Sequence, residues 1–449
     1  MLEPKVSVQE KQGVSDAADA STHLEKVGPL ASLRIRNFRF LLGGSILSST
    51  AGNIQGIGLN WLVYNLTGSG TILGSINMVT SAMSLGMIPV SGVLVDRVSH
   101  RKLMFMTNWW LFIITLGLGF ILFFDHAKIS YLFIFAFLCG VTQTLNQTLG
   151  QVVTFDLVPR VDTPNAIALL QTGGYLTRSF APAIGGYLIL WFGAGGNFLF
   201  EAGAFALIIL SITQLQFPAR KSAPIMGSSF QNIQEGIKYV AKQPVTRTFV
   251  LMGFILSLFT IPIVIILPPI YAVKVFHGGP NILGFLLASM GVGGIFGGVA
   301  AAFLSRLERW GLVQLASIFL LSLSLLAFAF TTKLWIALLL LSLGGFFEAI
   351  SLATNQTLLQ LSIPNELRGR VTSAVNLGSA LFILGSLLAG VGSDLFGGPK
   401  MITIILAGTA AGICILIFTL SSTVRNYRLS EGIASNSARK AGDLTSNGQ

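Results

Sequence analysis

Long, nearly continuous runs of apolar residues alternate with short polar connections along most of this chain. An α-helix needs roughly 20 apolar residues to cross the hydrocarbon core of a bilayer. None of the runs shows the period-two alternation that is typical of membrane β-barrel strands. The pattern therefore predicts an all-α membrane protein with twelve transmembrane helices, numbered here as spans 1 to 12: 40–64, 71–94, 103–124, 131–158, 164–191, 197–217, 248–273, 281–304, 312–331, 334–362, 371–396 and 401–422.

One long polar connection, residues 218–247, divides the spans into two sets of six. We therefore predict an N-terminal six-helix bundle over 33–217 and a C-terminal bundle over 248–422. Residues 1–32 are predicted to be a disordered cytoplasmic tail, and 423–449 a second cytoplasmic tail. The connection begins with Pro, Ser and Gly and then places apolar residues along one helical face, which predicts an interfacial helix: Phe230, Ile233, Ile237, Tyr239 and Val240.

Lys and Arg are distributed unequally between the two sides of the membrane. If the N-terminus is cytoplasmic, 23 of the 28 basic residues fall in cytoplasmic segments, and the outer loops hold only Lys128, Lys274, Lys333 and Lys400. Cytoplasmic loops normally carry this excess. The distribution predicts a multi-pass protein of the cell membrane with both termini in the cytoplasm, and the lipid bilayer as its surroundings.

Composition excludes several other classes of protein. Charged residues make up 10% of the chain, too few for a water-soluble surface. The net charge of +11 is spread along the loops and does not indicate a nucleic-acid site. Cys139 and Cys414 lie in apolar runs, and the four histidines are scattered through tails and loops, so no metal site is expected. No nucleotide-binding loop or catalytic set is apparent, so we expect neither a cofactor nor an enzyme.

The two halves of the chain repeat each other weakly. A shift of 205 residues places spans 4 and 5 on spans 10 and 11. Transporters are often built from such internal repeats. The matched residues are Gly140 with Gly345, Pro159 with Pro364, Gly173 with Gly378, and Gly185 with Gly390.

The connection between spans 2 and 3 resembles the loop signature of the major facilitator superfamily, although Ser99 and His100 depart from it. The resemblance implies a cytoplasmic gate, in which a glycine allows helices to approach and an aspartate holds basic residues and a facing helix N-terminus. The alternative is an ordinary basic loop with one stray aspartate. The four candidate gate residues are Gly92, Asp96, Arg97 and Arg101.

Span 5 resembles a proline-glycine motif that is associated with exporters of this superfamily. It contains Pro182, Gly185 and Gly186, with Ala181 in place of the first glycine. Proline removes a backbone hydrogen bond, and the glycines permit tight packing against the other half. The alternative is a proline kink with glycines that serve only helix packing.

Residues 364–371, Pro-Asn-Glu-Leu-Arg-Gly-Arg-Val, and the end of span 1, residues 61–69, resemble a bacterial branch of drug and siderophore exporters that includes macrolide-efflux and enterobactin-exporter relatives. The resemblance covers residues 33–422. It implies the major facilitator fold, with two pseudo-symmetric six-helix bundles, in a chain that acts as a monomer. Span 1 departs from this branch because Asn53 stands where an acid is frequent.

Polar residues near the middle of the spans are candidates for the transport site, because burying them in lipid is costly. Glu348 is the candidate proton carrier, and Arg178 is its candidate counter-charge in the other half. The alternatives are a fixed ion pair and amides that only join helices. Glu201, near the start of predicted span 6, is expected at the rim. The candidate cavity residues are Asn53, Asn60, Gln143, Asn146, Gln147 and Asn355.

These patterns predict a secondary transporter that exports an amphipathic small molecule, such as a drug or a siderophore, with the proton as coupling ion. Alternating access would come from rocking one bundle against the other. Import, or movement of a lipid-like solute, is the alternative within transport. A receptor or scaffold that has lost transport is the alternative of another class.

Overall fold

This computed structural model describes residues 31–159, 162–215, 229–304, 307–363 and 380–421, together with Leu367, Val371, Gly378 and Arg425. The regular elements in these ranges are all helices, which confirms the prediction of an all-α protein. Most of both predicted tails, the first part of the predicted linker, and the motif residues Pro364, Arg368 and Arg370 lie outside the described residues.

The N-terminal half begins with a short 3₁₀ helix, Ala31–Arg34. Spans 5 and 6 form one helical stretch, Thr163–Gln214, which is interrupted at Gly193 by a φ of 69°. Gly185 and Asn197 on its two arms both contact Ile54 of span 1, so the chain turns back between them. Spans 1 to 4 are the helices Arg36–Thr67, Gly70–Arg97, His100–Phe123 and Ile129–Leu157.

A helix, Ser229–Lys242, occupies the place of the predicted interfacial helix, and its Tyr239 hydroxyl donates a hydrogen bond of 3.1 Å to the Ser362 carbonyl. Span 7 is broken by prolines, which cannot donate a helical hydrogen bond. Its pieces are Pro244–Ile255, the π-helical turn Leu256–Thr260, Ile261–Ile266 and Pro268–Lys274. Spans 8 to 12 are the helices Pro280–Leu304, Trp310–Phe330, Leu334–Ser362, Ala380–Leu395 and Pro399–Leu420.

Within the described ranges, nine helices are long and apolar enough to cross a membrane. The difference from twelve has three causes. Spans 5 and 6 are joined in one helix, span 1 is diluted by amides and glycines, and only 16 residues of span 11 belong to its described helix. A helix nevertheless occupies the place of each predicted span. Large apolar side chains are exposed along these helices, as expected for a surface that faces lipid.

Two pairs of helices carry most of the packing between the halves: spans 5 and 8, and spans 2 and 11. The 205-residue repeat relates these pairs, because it places span 5 on span 11. Gly140 and Gly345 occupy equivalent sites, where an added Cβ would collide with the carbonyls of Thr80 in span 2 and Met290 in span 8. The match of Gly185 with Gly390 is wrong in detail: Gly185 faces its own half, while Gly390 packs against the other half.

Candidate functional site

The two halves are joined at mid-membrane depth by an ion pair. The Arg178 guanidinium of span 5 donates hydrogen bonds of 3.0 Å to Oε1 and 3.3 Å to Oε2 of Glu348 in span 10. Glu348 lies at the middle of its 29-residue helix. Its side chain is 10% exposed, whereas that of Arg178 is 41% exposed. The carboxylate is therefore enclosed, while the cation still faces open space.

A narrow pocket lies beside this pair, lined by residues of spans 5, 8 and 10. Tyr175 contributes its ring, and Gly294 and Gly345 contribute backbone without side chains. The Arg178 side chain, which is partly exposed, lines this pocket together with Glu348. A small anionic or polar group of a ligand is the chemistry that such a half-free guanidinium can bind.

The exporter-like motif of span 5 packs on span 8. A Cβ at Gly186 would collide with the Pro280 carbonyl and crowd Gly284. A Cβ at Gly284 would in turn collide with the carbonyl of Pro182. The neighbouring Gly185 differs, because its added Cβ would be 3.5 Å from Ile54 of span 1, an ordinary contact. Tight packing between the halves thus depends on Gly186 and Gly284, while Gly185 serves its own half.

A second contact between the halves lies at the face predicted to be outer. Asp394 at the end of span 11 accepts hydrogen bonds from the Ser69 hydroxyl (2.7 Å) and from the backbone N–H groups of Gly70 (2.7 Å) and Thr71 (2.8 Å). These amides begin span 2, where helix N–H groups lack partners and the helix dipole favours negative charge. We call this arrangement the outer clasp. The sequence pattern does not predict this contact.

The six candidate cavity amides fall into two groups. Four are engaged in hydrogen bonds: Asn53 with its own helix at Ser49, Asn60 with Asn77 and the Ile265 carbonyl, Asn355 with the Phe249 carbonyl, and Gln143, whose side-chain oxygen accepts from the Ser84 hydroxyl. The bonds of Asn60 and Asn355 join helices, which is the alternative role considered for these amides. On span 4, Gln143 and Gln147 are exposed and Asn146 is partly exposed. Span 4 therefore offers polar groups to a ligand most directly.

The structure describes three of the four side-chain positions of the gate motif between spans 2 and 3. The Asp96 side chain lies outside the described part of the structure. Arg97 is exposed, and Arg101 donates a hydrogen bond of 2.9 Å to the Thr213 carbonyl at the end of span 6. Among the described residues, nothing lies within 4 Å of a Cβ added at Gly92. The close helix approach expected at this glycine is therefore not seen in this conformation.

His100, which departs from the family signature, is buried at the start of span 3. Its Nδ1 lies 2.5 Å from Oδ2 of Asp156 at the end of span 4, and its Nε2 lies 3.2 Å from the Val95 carbonyl. The sequence pattern predicts a loop position for this histidine. The structure instead places it in a polar contact that ties span 4 to the connection between spans 2 and 3.

Glu201 is also misplaced by the sequence prediction. Its side chain is 0% exposed, so it is a buried residue of span 6 and not a rim residue. Neither carboxyl oxygen has a hydrogen-bond partner among the described residues. The sequence alone does not reveal whether a single acidic residue near the end of a predicted span is buried among apolar neighbours. Within the same ranges, no three His, Cys, Asp or Glu residues come together to hold a metal ion.

The described hydrogen bonds between the halves all lie at the midplane or on the predicted outer side of it. The Arg178–Glu348 pair lies at the midplane, and the outer clasp and the bond from Asn60 to Ile265 lie toward the predicted outer face. The contact of Gly186 with Gly284 lies on the same side. The conformation is thus held closed between the midplane and that face.

Comparison with known proteins gives a consistent result over nearly the whole chain. A family model described as transmembrane secretion effector matches residues 27–442. The staphyloferrin A transporter of Staphylococcus aureus is 25% identical, over 88% of this chain and 98% of its own length. The multidrug efflux pump Tap of Mycolicibacterium fortuitum is 25% identical, over 78% and 88%. The enterobactin exporter of Shigella boydii is 25% identical, over 85% and 89%.

Solved structures support the same fold. A bacterial homologue of the human lysosomal transporter Spinster, in an inward-facing and unoccupied conformation, superposes with a TM-score of 0.69. The alignment covers 87% of this chain and 98% of that one, at 14% sequence identity. At this identity the likeness shows the fold alone.

Proposed function

This chain belongs to the transmembrane secretion effector family of major facilitator transporters, and we propose that it exports an amphipathic small molecule across the cell membrane in exchange for protons. The family consists of transporters, so the protein is a multi-span membrane transporter and not an enzyme. The relatives named for siderophore transport and multidrug efflux support a substrate of the siderophore or drug class. We propose that it works as a monomer with both termini in the cytoplasm.

The observation that carries the proposal is the ion pair between Arg178 and Glu348. It joins the two halves at mid-membrane depth, where an ionised group is costly unless it is paired. When a proton binds Glu348, the carboxyl group becomes neutral and its attraction for Arg178 is lost. Because the partners belong to different halves, the protonation state of one group acts on the contact between the halves. This is the property that coupling requires.

Alternating access would use the contacts described above. In this conformation, spans 2 and 11 and spans 5 and 8 close the predicted outer side, so substrate would enter from the cytoplasm. The candidate binding groups are Arg178 and three amides of span 4, of which Gln143 and Gln147 are exposed and Asn146 is partly exposed. Opening of the outer clasp and of the contact between spans 5 and 8 would then release the substrate outward.

The test is transport by the purified protein in proteoliposomes, with a proton gradient imposed across the membrane. We would use a panel of ethidium, enterobactin and staphyloferrin A. We expect gradient-driven transport of at least one compound, with collapse upon addition of a protonophore. The Glu348→Gln variant should lose gradient-driven accumulation at least tenfold. Glu308→Gln, a change in the exposed connection between spans 8 and 9, serves as the matched control and should keep it.

Four results would contradict the proposal or part of it. Transport that is insensitive to the protonophore would remove proton coupling. Unchanged gradient-driven accumulation by Glu348→Gln would show that the ion pair has a structural role and no role in coupling. No transport of any panel compound would favour the receptor or scaffold interpretation, and net accumulation in the import direction would favour an importer.

A further inference from the structure

Glu201 lies within the membrane part of the N-terminal half. It follows Gly193 by eight residues, which is about 12 Å along the helix. Its side chain is fully buried, and both carboxyl oxygens are shielded and without a hydrogen-bond partner among the described residues. Residues just before Glu201 on span 6 contact three other helices: Asn197 contacts Ile54 of span 1, Phe198 contacts Phe135 of span 4, and Leu199 lies against Gly119 of span 3.

Among the described residues, Glu201 forms no ion pair, and its surroundings are largely apolar. Phe198 and Phe205 on the same helix are buried, and Phe198 packs edge-on against Phe135 of span 4. Cys139 of span 4 is the titratable group close enough to interact electrostatically. The other titratable groups of the packed helices lie toward the ends of those helices: Arg36, Arg39 and Tyr64 on span 1, His100, Arg101 and Lys102 on span 3, and Tyr131 and Asp156 on span 4.

These surroundings accept only the neutral form of the carboxyl group. An unpaired carboxylate buried in a low-dielectric interior is far more costly than a neutral acid. A neutral acid needs only one acceptor for its proton. The amide oxygen of Asn197, one helical turn away on span 6, is also buried and without a partner among the described residues. The site is therefore suited to a proton rather than to a fixed charge.

A polar route connects this site to span 1. Gln55 donates a hydrogen bond of 3.0 Å from Nε2 to the Cys139 sulfur. Gln55 is partly exposed, on a helix where Gly52 and Gly56 border open space. The Gln55 amide is thus linked to the Cys139 thiol, which lies close enough to Glu201 to interact with it electrostatically.

We propose that Glu201 is a proton-binding site of the N-terminal half, occupied in this conformation and reached from span 1 through Gln55 and Cys139. The inference rests on the proposed function, since it assigns a further residue to proton-coupled transport. It supplies the acid in the N-terminal half that span 1 lacks at Asn53. Binding adds one proton to the carboxylate and gives the neutral acid. Release requires a rearrangement that brings water or a partner to this group.

Infrared spectroscopy of the purified protein in lipid tests the site without any substrate. At pH 7 the wild type should show a C=O stretching band of a protonated carboxyl group. Glu201→Gln, which preserves shape and neutrality, should remove this band, whereas Glu348→Gln should leave it in place. In D₂O the band should shift as the proton exchanges, at least threefold more slowly in Gln55→Leu. A wild type without the band, or a band unaffected by Glu201→Gln, would overturn the proposal.

Transport separates failure of this site from failure of the proposed function. Using the panel compound that the wild type transports, Glu201→Gln should lose gradient-driven accumulation at least tenfold. It should retain exchange of labelled for unlabelled compound without a gradient. Full gradient-driven accumulation by Glu201→Gln would refute the role of Glu201 in coupling and would leave the proposed function intact. A wild type that is insensitive to the gradient would refute proton coupling, while the infrared band would still report the proton on Glu201.

Discussion

The carboxylate of Asp394 caps the first turn of the helix that begins at Gly70, with 2.7 Å between Oδ1 and the Gly70 nitrogen. The two residues belong to opposite halves of the protein and are separated by 324 positions in sequence. A carboxylate at a helix N-terminus is stabilised both by the free N–H groups and by the helix dipole. The outer clasp therefore favours the conformation in which this face is closed.

Asp394→Asn is expected to weaken the outer clasp. One carboxylate oxygen is replaced by an NH₂ group that cannot accept from Ser69 or Thr71, and hydrogen bonds to a charged group contribute about 1.5–3 kcal/mol each. The population with an open outer face should rise. Distances between spin labels at Lys128→Cys and Lys333→Cys, on outer loops of opposite halves, would report this opening as a longer-distance population.

The matched control for the outer clasp is Asp125→Asn, in an exposed loop at the same face, where asparagine tolerates the positive φ of 57°. It should leave the distance distribution unchanged. An Asp394→Asn distribution identical to the wild type would show that the hydrogen bonds of Asp394 do not bias the conformation.

The contact between Gly186 and Gly284 leads to a prediction with a control in the adjacent residue. Gly186→Ala places a methyl group against the backbone of span 8 at Pro280, where backbone atoms cannot yield. Gly185→Ala places the same group at ordinary distance from Ile54. Gly186→Ala should therefore increase the open-outer population in the same spin-label experiment, and Gly185→Ala should not. Equal behaviour of the two variants would contradict the assignment.

The ion pair between Arg178 and Glu348 predicts non-additive effects on stability. Arg178→Gln leaves a nearly buried carboxylate without its partner, which should cost about 3 kcal/mol, the lower end for a buried pair because Arg178 is partly exposed. Adding Glu348→Gln removes the orphaned charge and should restore part of that loss. Thermal unfolding of the single and double variants in detergent measures this coupling. Additive losses would mean that the pair contributes no interaction energy.

The sequence allowed the fold to be predicted because long apolar runs leave few alternatives. The depth of Arg178 and Glu348 could also be read, since each is a rare charge in the middle of such a run. The outer clasp could not, because Asp394 and Gly70 approach only after both halves fold. Glu201 was misjudged for a different reason. Predicted span 6 began at Asn197, whereas its helical arm continues almost from Gly193, so the acid lies deeper than the pattern suggests.

The contact between His100 and Asp156 predicts a stabilising role for a residue that the family signature does not contain. His100→Ala should lower the free energy of unfolding by roughly 1–3 kcal/mol, because it removes the polar contacts of the ring with the Asp156 carboxylate and the Val95 carbonyl. His100→Arg, which restores the basic residue usual in the signature, should recover part of that stability if its guanidinium reaches Asp156. His126→Ala provides the control, since the His126 side chain is exposed at the opposite face and, among the described residues, bonds only to the nearby Phe124 carbonyl. Thermal unfolding in detergent distinguishes these variants, and equal melting temperatures for His100→Ala and His126→Ala would show that the buried contact contributes nothing.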